Sequence, residues 1–394
     1  MNTGIALLAF AYVLSQFFRA FLAVLSPFLA TDIGAGAEDL AFASGLWFIT
    51  FSIMQLPIGW ALDSIGPRRT AATLLLIGGA GGAAVFAVAS APVHVAIAMA
   101  LIGVGCAPVL MASYYIFALD HPPARFAFLA AVMVGVGTLG NIVASYPTTL
   151  AAETMGWRAA LWGLCALSAA TAAGIWFAVR DPVKEPTEQK GSFAEVLRIR
   201  ALWFIFPLML VSYAELGALR GLWIGPYLTE VFNASPRLIG QATLAMGITM
   251  VIGPMAYSPL DRMFGTRKWV IFVGSIGMLL ATIGMILLGE SSVIWVVVLM
   301  CAIGFFGSTY PAIMSHGRSL LPRHLVGRGV TLLNLCSIGG VGIAQFVTGR
   351  IYASTAGSKF ASIPFSLILM FFAAALTVGL VIYLFSTDTK PDKA

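Results

Sequence analysis

The chain has 394 residues, of which 60% are hydrophobic and only 10% are charged, and it carries a formal net charge of +6. Soluble domains average about 25% charged residues, so this composition cannot cover a water-facing surface of such a size, and lipid is the solvent that suits it. The 41 glycines agree, because small residues let membrane helices approach closely.

A spanning helix needs about 20 apolar residues. Taken in chain order, such runs are predicted at 6–29, 41–62, 71–90, 95–117, 126–150 and 159–179, and then at 202–228, 238–260, 269–289, 293–315, 329–354 and 364–385. Between the two sets lies Arg180–Arg200, charged and carrying two prolines, which reads as a soluble linker ending in a short amphipathic piece at 193–200. The fold class expected is therefore an all-α membrane protein of twelve transmembrane helices in two pseudo-symmetric six-helix bundles, 1–179 and 201–394, joined by the linker 180–200. The N-terminus lacks the charged region and cleavage site of a signal peptide, so the opening apolar run reads as a retained helix.

Placing the N-terminus inside puts 16 of the 22 Lys and Arg residues in inner loops, linker and tail and 4 outside, with Arg19 and Arg220 left within spans. The positive-inside rule then puts both termini in the cytoplasm of a multi-pass inner-membrane protein, and the net charge reads as topology rather than as nucleic-acid binding. Cys106, Cys165, Cys301 and Cys336 show no CxxC spacing, and His94, His121, His316 and His324 are scattered, so neither a metal site nor a disulfide framework is expected. No phosphate-cradling loop and no catalytic constellation is present. No cofactor and no enzymatic activity are expected, and energy must come from a gradient. A monomer satisfies everything the chain demands.

The halves repeat at an offset of 199, as in Pro27/Pro226, Gly66/Gly265, Arg68/Arg267, Arg69/Lys268 and Gly105/Gly304, with Asp63/Asp261 one residue short. An even number of helices per half gives a parallel repeat with a site between the halves near the midplane. The loop Gly59-Trp-Ala-Leu-Asp63-Ser-Ile-Gly66-Pro-Arg68-Arg69 resembles the signature loop of the major facilitator superfamily, and Asp261-Arg-Met-Phe-Gly265-Thr-Arg267-Lys268 resembles its degenerate second copy. Ser64 stands where that family usually has a basic residue. The resemblance implies secondary transport by alternating access, with Asp63, Arg68, Arg69, Asp261, Arg267 and Lys268 latching the halves on the cytoplasmic side.

A charge at the bilayer centre costs about 2.5–3.5 kcal/mol and so usually has a task. Arg19, Glu215 and Arg220 are such charges. Tyr12, Ser15, Gln16, Arg19 and Ser26 form one polar stripe at helical spacing, Thr138, Asn141, Ser145 and Thr148 a second, and Asn334, Ser337, Gln345 and Thr348 a third. Tyr213, Arg220, Trp223 and Tyr227 should share a face, with Glu215 about 140° around that helix from Arg220. These faces are expected to surround one cavity, although Ser, Thr and Asn stripes also serve as helix–helix glue. Tyr114, Tyr115 and Tyr310 could hydrogen-bond a substrate or simply pack. Two arginines suggest an anion, because a guanidinium stays charged and its fork fits carboxylate or phosphate.

The run Phe18-Arg19-Ala-Phe21 through Pro27 is similar to the first helix of organic-anion and organophosphate exchangers of the superfamily. Arg220-Gly-Leu-Trp223 through Glu230 is similar to their seventh. That likeness implies Arg19 as an anion ligand. Arg220 falls half a turn later than their second arginine, and their cavity histidine has no counterpart in the fifth helix, which favours a carboxylate over a phosphate ester. Glu215 is expected either to carry a coupling proton, since a carboxyl in a low-dielectric cavity holds its proton readily, or to sit in a fixed ion pair with Arg19 or Arg220. The partners expected are thus a small anion, a coupling ion (a proton first) and membrane lipid. A drug exporter of the same fold is the rival reading, weakened because Gly135-Val-Gly137-Thr-Leu-Gly140-Asn141 lacks the Gly-Pro of those exporters. A non-transporting sensor is a more distant one.

Overall fold

The computed structural model describes residues 3–182, 193–257, 259–322 and 325–389. Most of the expected linker lies outside them, as do Lys184, Lys190, Arg323, His324, Lys390 and Lys393. The helices are α1 (Thr3–Phe18), α2 (Leu22–Ile33), α3 (Ala37–Ser64), α4 (Pro67–Ala87), α5 (Pro92–Asp120), α6 (Pro123–Val143), α7 (Tyr146–Met155), α8 (Trp157–Ala178), α9 (Phe193–Leu197), α10 (Arg200–Phe232), α11 (Pro236–Tyr257), α12 (Leu260–Phe264), α13 (Lys268–Leu288), α14 (Val293–Ser319), α15 (Val326–Thr355) and α16 (Ile363–Tyr383). Among the described residues ten helices are long and apolar enough to cross a membrane, and twelve spans result when α1+α2 and α6+α7 each count as one. Those two spans were expected as single helices over 6–29 and 126–150. They bend instead, by 52° and 42°.

A proline marks only the second break, where Pro147 stands in the first turn of α7. Pro57 and Pro254 lie inside α3 and α11, and Pro27 lies inside α2, downstream of the bend. Pro27 has no N–H for the carbonyl of Ala23 four residues back. The Ser26 hydroxyl donates to that carbonyl instead, at 2.8 Å, so the helix continues through the proline.

The chain divides into two compact units. The first comprises residues 1–186 with 221–226 and 235–243, and the second the remainder. In the first, α3 packs along α5 and α1 along α6. In the second, α10 packs along α15 and α13 along α14 and α16. The same glycine contacts recur in each. A side chain at Gly140 in α6 would overlap the carbonyl of Val13 in α1, and one at Gly340 in α15 would overlap the carbonyl of Leu210 in α10. Gly103 lies against Trp47 and Thr50 of α3 just as Gly304 lies against Met246 and Thr249 of α11. The structural counterpart of Gly304 is therefore Gly103. Gly105, the partner chosen by the constant offset, packs instead on Gly78 and Gly79 of α4.

A second repeated device ends each unit. In the first, Gly66 takes φ 107° before α4, a region open mainly to glycine, and Asp181 accepts from the Arg68 backbone N–H at 2.8 Å. In the second, Gly265 takes φ 65° before α13, and Asp388 accepts from the Lys268 backbone N–H at 3.1 Å and from the Thr266 hydroxyl at 2.6 Å. Each aspartate, from the segment after the last helix of its unit's repeat, satisfies a donor that a helix start leaves unbonded and complements the positive end of the dipole.

Candidate substrate and coupling site

Arg19 stands in the break between α1 and α2, half-buried. Its guanidinium carbon lies 5.3 Å from the Trp47 ring centroid and 5.4 Å from that of Phe51, both on α3. Such a shelf of aromatic faces attracts and holds a cation. Phe17, Phe18 and Phe21 pack on one another beneath the turn, with centroids 5.6–5.7 Å apart. One turn earlier, the Gln16 amide donates to the Tyr12 hydroxyl at 3.2 Å, and both residues are buried. The expected stripe therefore runs from Tyr12 to Arg19 and stops. Ser26 leaves it, because the bend rotates α2 and its hydroxyl is spent on Ala23.

The stripe expected at 138–148 also breaks. Thr138, Ser145 and Thr148 donate to the carbonyls of Gly135, Asn141 and Val143 on their own segment. Of that set Asn141 is half-buried near the α6/α7 break.

Arg220 lies in a π-helical turn, Leu219–Trp223, inside α10, and is 4% exposed. Turns of this kind insert a residue and recur at functional sites. They also shift every later side chain, so the face projected from a regular helix does not hold. Trp223 is buried, and Tyr227 turns instead to the Gly289 carbonyl, donating at 2.7 Å. The Arg220 guanidinium lies over Gly247 of α11, where a Cβ would come within 3.1 Å of Nη2. From α15 the Gln345 amide donates to the Ala218 carbonyl at 3.4 Å, at the start of the π turn. Gln345 thus braces the backbone that carries Arg220. Of the other residues expected there, Thr348 donates to Ala344, Asn334 is half-buried, and Tyr310 packs on Tyr213 at a 4.8 Å centroid distance. Tyr114 packs on Phe126 at 5.9 Å.

Glu215 is 1% exposed, and its Oε1 accepts from the Thr282 hydroxyl of α13 at 2.5 Å. Its Oε2 is buried and has no hydrogen-bond partner among the described residues. The ion pair with Arg220 weighed for it is not found among the described residues, where the guanidinium lies over Gly247 on a neighbouring helix.

The loop residues find partners within their own units. Arg68 Nε lies 3.5 Å from Asp181, and Arg267 Nε lies 3.6 Å from Asp261. Lys268 Nζ donates to the carbonyls of Leu384 and Ser386. The Tyr115 hydroxyl lies within hydrogen-bond reach of Asp63, and Arg69 is exposed. Trp47, Phe51, Thr282, Asp181 and Asp388 were not singled out from the sequence. An aromatic pair one turn apart on α3 is a signal that could have found the first two. Spacings of 67 to 120 residues hide the others.

A model of the Major Facilitator Superfamily matches residues 8–222 and again residues 208–394. The chain belongs to the major facilitator superfamily. No curated protein matches its sequence. Solved structures similar to it include a D-xylose–proton symporter (TM-score 0.77, 13% identity, 98% of this chain and 97% of the other covered). Another is the nucleoside transporter NupG (0.76, 14%, 97% and 99%). A third is a bacterial homologue of the human lysosomal transporter Spinster in an inward-facing, occupied conformation (0.75, 15%, 97% and 96%). At such identities the likeness is one of fold. This superfamily member is a multi-pass membrane transporter of the twelve-helix type, and its family points to transport rather than catalysis.

Proposed function

We propose that this transporter moves a small organic anion, a carboxylate first, by alternating access coupled to protons. In this reading Arg19 and Arg220 are the anion's ligands, Gln16, Tyr12, Asn141 and Trp223 shape the site, and Glu215 carries the proton. The observation that carries it is the placement of both arginines at departures from regular helix, one at a 52° bend and one in a π turn, the kind of interrupted span that builds binding sites in transporters. Glu215 fits its role because a buried carboxyl without a cation beside it is stable only when neutral. The proposed topology has two halves, 1–179 and 201–394, with both termini cytoplasmic in an inner membrane. The paired loops of Asp63, Arg68, Arg69, Asp261, Arg267 and Lys268 then act as the gating latch. In this reading a monomer suffices.

The experiment is a thermal-shift screen of the purified protein against mono- and dicarboxylates, phosphate esters, nitrate and sulfonates, with Arg19→Ala beside the wild type. An anion that raises Tm in the wild type and not in the variant supports the reading; a ligand at 100 times its Kd adds about 2.7 kcal/mol. If only apolar or cationic drugs stabilise, and do so in both proteins, the exporter reading replaces it.

A further inference from the structure

One face of α13 joins Glu215 to a polar pocket at the far end of the same unit. Val270, Gly274, Met278 and Thr282 recur at intervals of four and so stand above one another on the helix, about 18 Å from first to last at 1.5 Å per residue. Val270 lines a cavity of about 250 Å³ together with Tyr257, Asp261, Arg267, Ser308 and Ser315. At Gly274 the Tyr257 hydroxyl and the Thr309 methyl both occupy the space a side chain would fill. At Met278 the sulfur meets Gly307 of α14, which also lies beside Leu216 of α10. At Thr282 the hydroxyl is bonded to Glu215.

Hydroxyls accompany this face, and they are unspent. Ser275 lies beside Gly274 and two turns below Thr282, and Ser212 lies one turn below Glu215 on α10. The hydroxyls of Ser212, Ser275 and Thr309 are buried, at 0–1% residue exposure, and have no hydrogen-bond partner among the described residues, as is also true of Glu215 Oε2. Four such groups between three helices are many, since buried polar groups are nearly always bonded, and bound water is the usual partner. Among the described residues no cation is bonded to the carboxylate. Arg220 faces Gly247, Arg267 is paired with Asp261, Lys268 holds tail carbonyls, and His316 is bonded to Tyr383 and the Thr387 carbonyl.

We infer that this hydroxyl-lined face is a proton passage inside the C-terminal unit, leading from Glu215 past Ser212, Ser275, Thr309 and Tyr257 to the pocket at Asp261 and Arg267. The inference rests on Glu215 as proton carrier and adds that its proton leaves by a route through the helix bundle. A proton given up by Oε2 passes to water held by Ser212 and Ser275, and an equivalent proton emerges at the Tyr257 end, so the hydroxyls are left unchanged. Ser275, Thr309 and Tyr257 are positioning residues for that water.

The test needs no substrate. The purified protein is transferred from H₂O to D₂O, and the infrared carboxyl stretch is followed as it shifts on deuteration. Glu215→Gln identifies the band. Ser275→Ala combined with Thr309→Val, and separately Tyr257→Phe, should slow the shift by roughly tenfold or more, equivalent to at least about 1.4 kcal/mol of barrier. Ser168→Ala, which removes an equally buried unpartnered hydroxyl from the first unit, should exchange at the wild-type rate. If Glu215→Gln removes no band, the coupling reading itself fails. If it removes the band while the passage variants exchange at the wild-type rate, or if Ser168→Ala is slowed as much as they are, the coupling reading stands and the passage is overturned.

Discussion

The two halves each place an arginine in a span that departs from regular helix, and they hold it in opposite ways. In the first, the helix breaks by 52°, and Arg19 lies half-buried on the faces of Trp47 and Phe51. In the second, the helix stays continuous through a π turn, and Arg220 is 4% exposed, set against Gly247 with its backbone braced by Gln345. Among the described residues only the second half adds a buried carboxyl. A break offers a guanidinium to a ligand, whereas a π turn redirects one without opening the bundle. In the proposed reading a repeated fold has divided tasks, with capture in the first half and coupling in the second.

The comparison is sharpest where the halves should still agree. Gly140→Val and Gly340→Val each drive a side chain into a neighbouring helix's carbonyl. Both should cost on the order of 3 kcal/mol or more, at the upper end for overpacking, read as loss of monodisperse protein and a lower Tm. An effect confined to one half would break the equivalence of the two seams. The arginines should then part company. Arg19→Lys loses the fork but keeps the charge and should weaken the stabilising anion by about tenfold, one charged hydrogen bond being worth about 1.5–3 kcal/mol, with the ligand-free Tm unchanged. Arg220→Lys should lower the ligand-free Tm as well, because it empties part of a packed site. Identical behaviour in the thermal-shift titration would erase the division of tasks.

Smaller effects follow. Gln345→Leu leaves the Ala218 carbonyl without its donor and should cost about 1 kcal/mol. Gln16→Leu, which removes a bond between two side chains of one helix, should cost less, and chemical denaturation would rank the two.

The least effect is expected at the terminal aspartates. Burial pushes the Asp388 carboxyl up, but hydrogen bonds from the Thr266 hydroxyl and the Lys268 and Arg267 backbone outweigh it and hold the group below its ordinary value. A depressed carboxyl contributes stability above its unfolded-state pKa, about 3.9, and loses it as pH falls through the folded value. Melting temperature against pH should therefore drop below about pH 4 in the wild type. Asp388→Asn should have a slightly lower Tm at neutral pH and a flatter acid limb, and Asp181→Asn gives the companion measurement for the first half.

The spans and the repeat were legible because lipid demands long apolar runs and because basic loops punctuate them. The first break was not. A hydropathy window sees Thr3–Ile33 as one run, and the obvious breaker, Pro27, is accommodated by Ser26. Arg19 and Glu215 could be singled out because a charge in an apolar run is conspicuous. Their surroundings were harder to see, because Thr282 reaches Glu215 across 67 residues of sequence, and because all three hydroxyls in the α6/α7 stripe turn back to their own backbone. Polar spacing locates a face, but it does not tell which of its groups remain available.

The bend at Arg19 also bears on how the chain enters the bilayer. Its two pieces have 16 and 12 residues, each shorter than a hydrocarbon core requires, and an arginine stands between them at a cost of about 2.5–3.5 kcal/mol at mid-depth. On its own this span is a weak insertion signal. The adjoining α3 is unbroken over 28 residues and supplies, in Trp47 and Phe51, the surface on which the arginine is shielded. Membrane integration of the first span should therefore depend on that of the second, and entry of the two as a hairpin would also build the arginine's aromatic shelf.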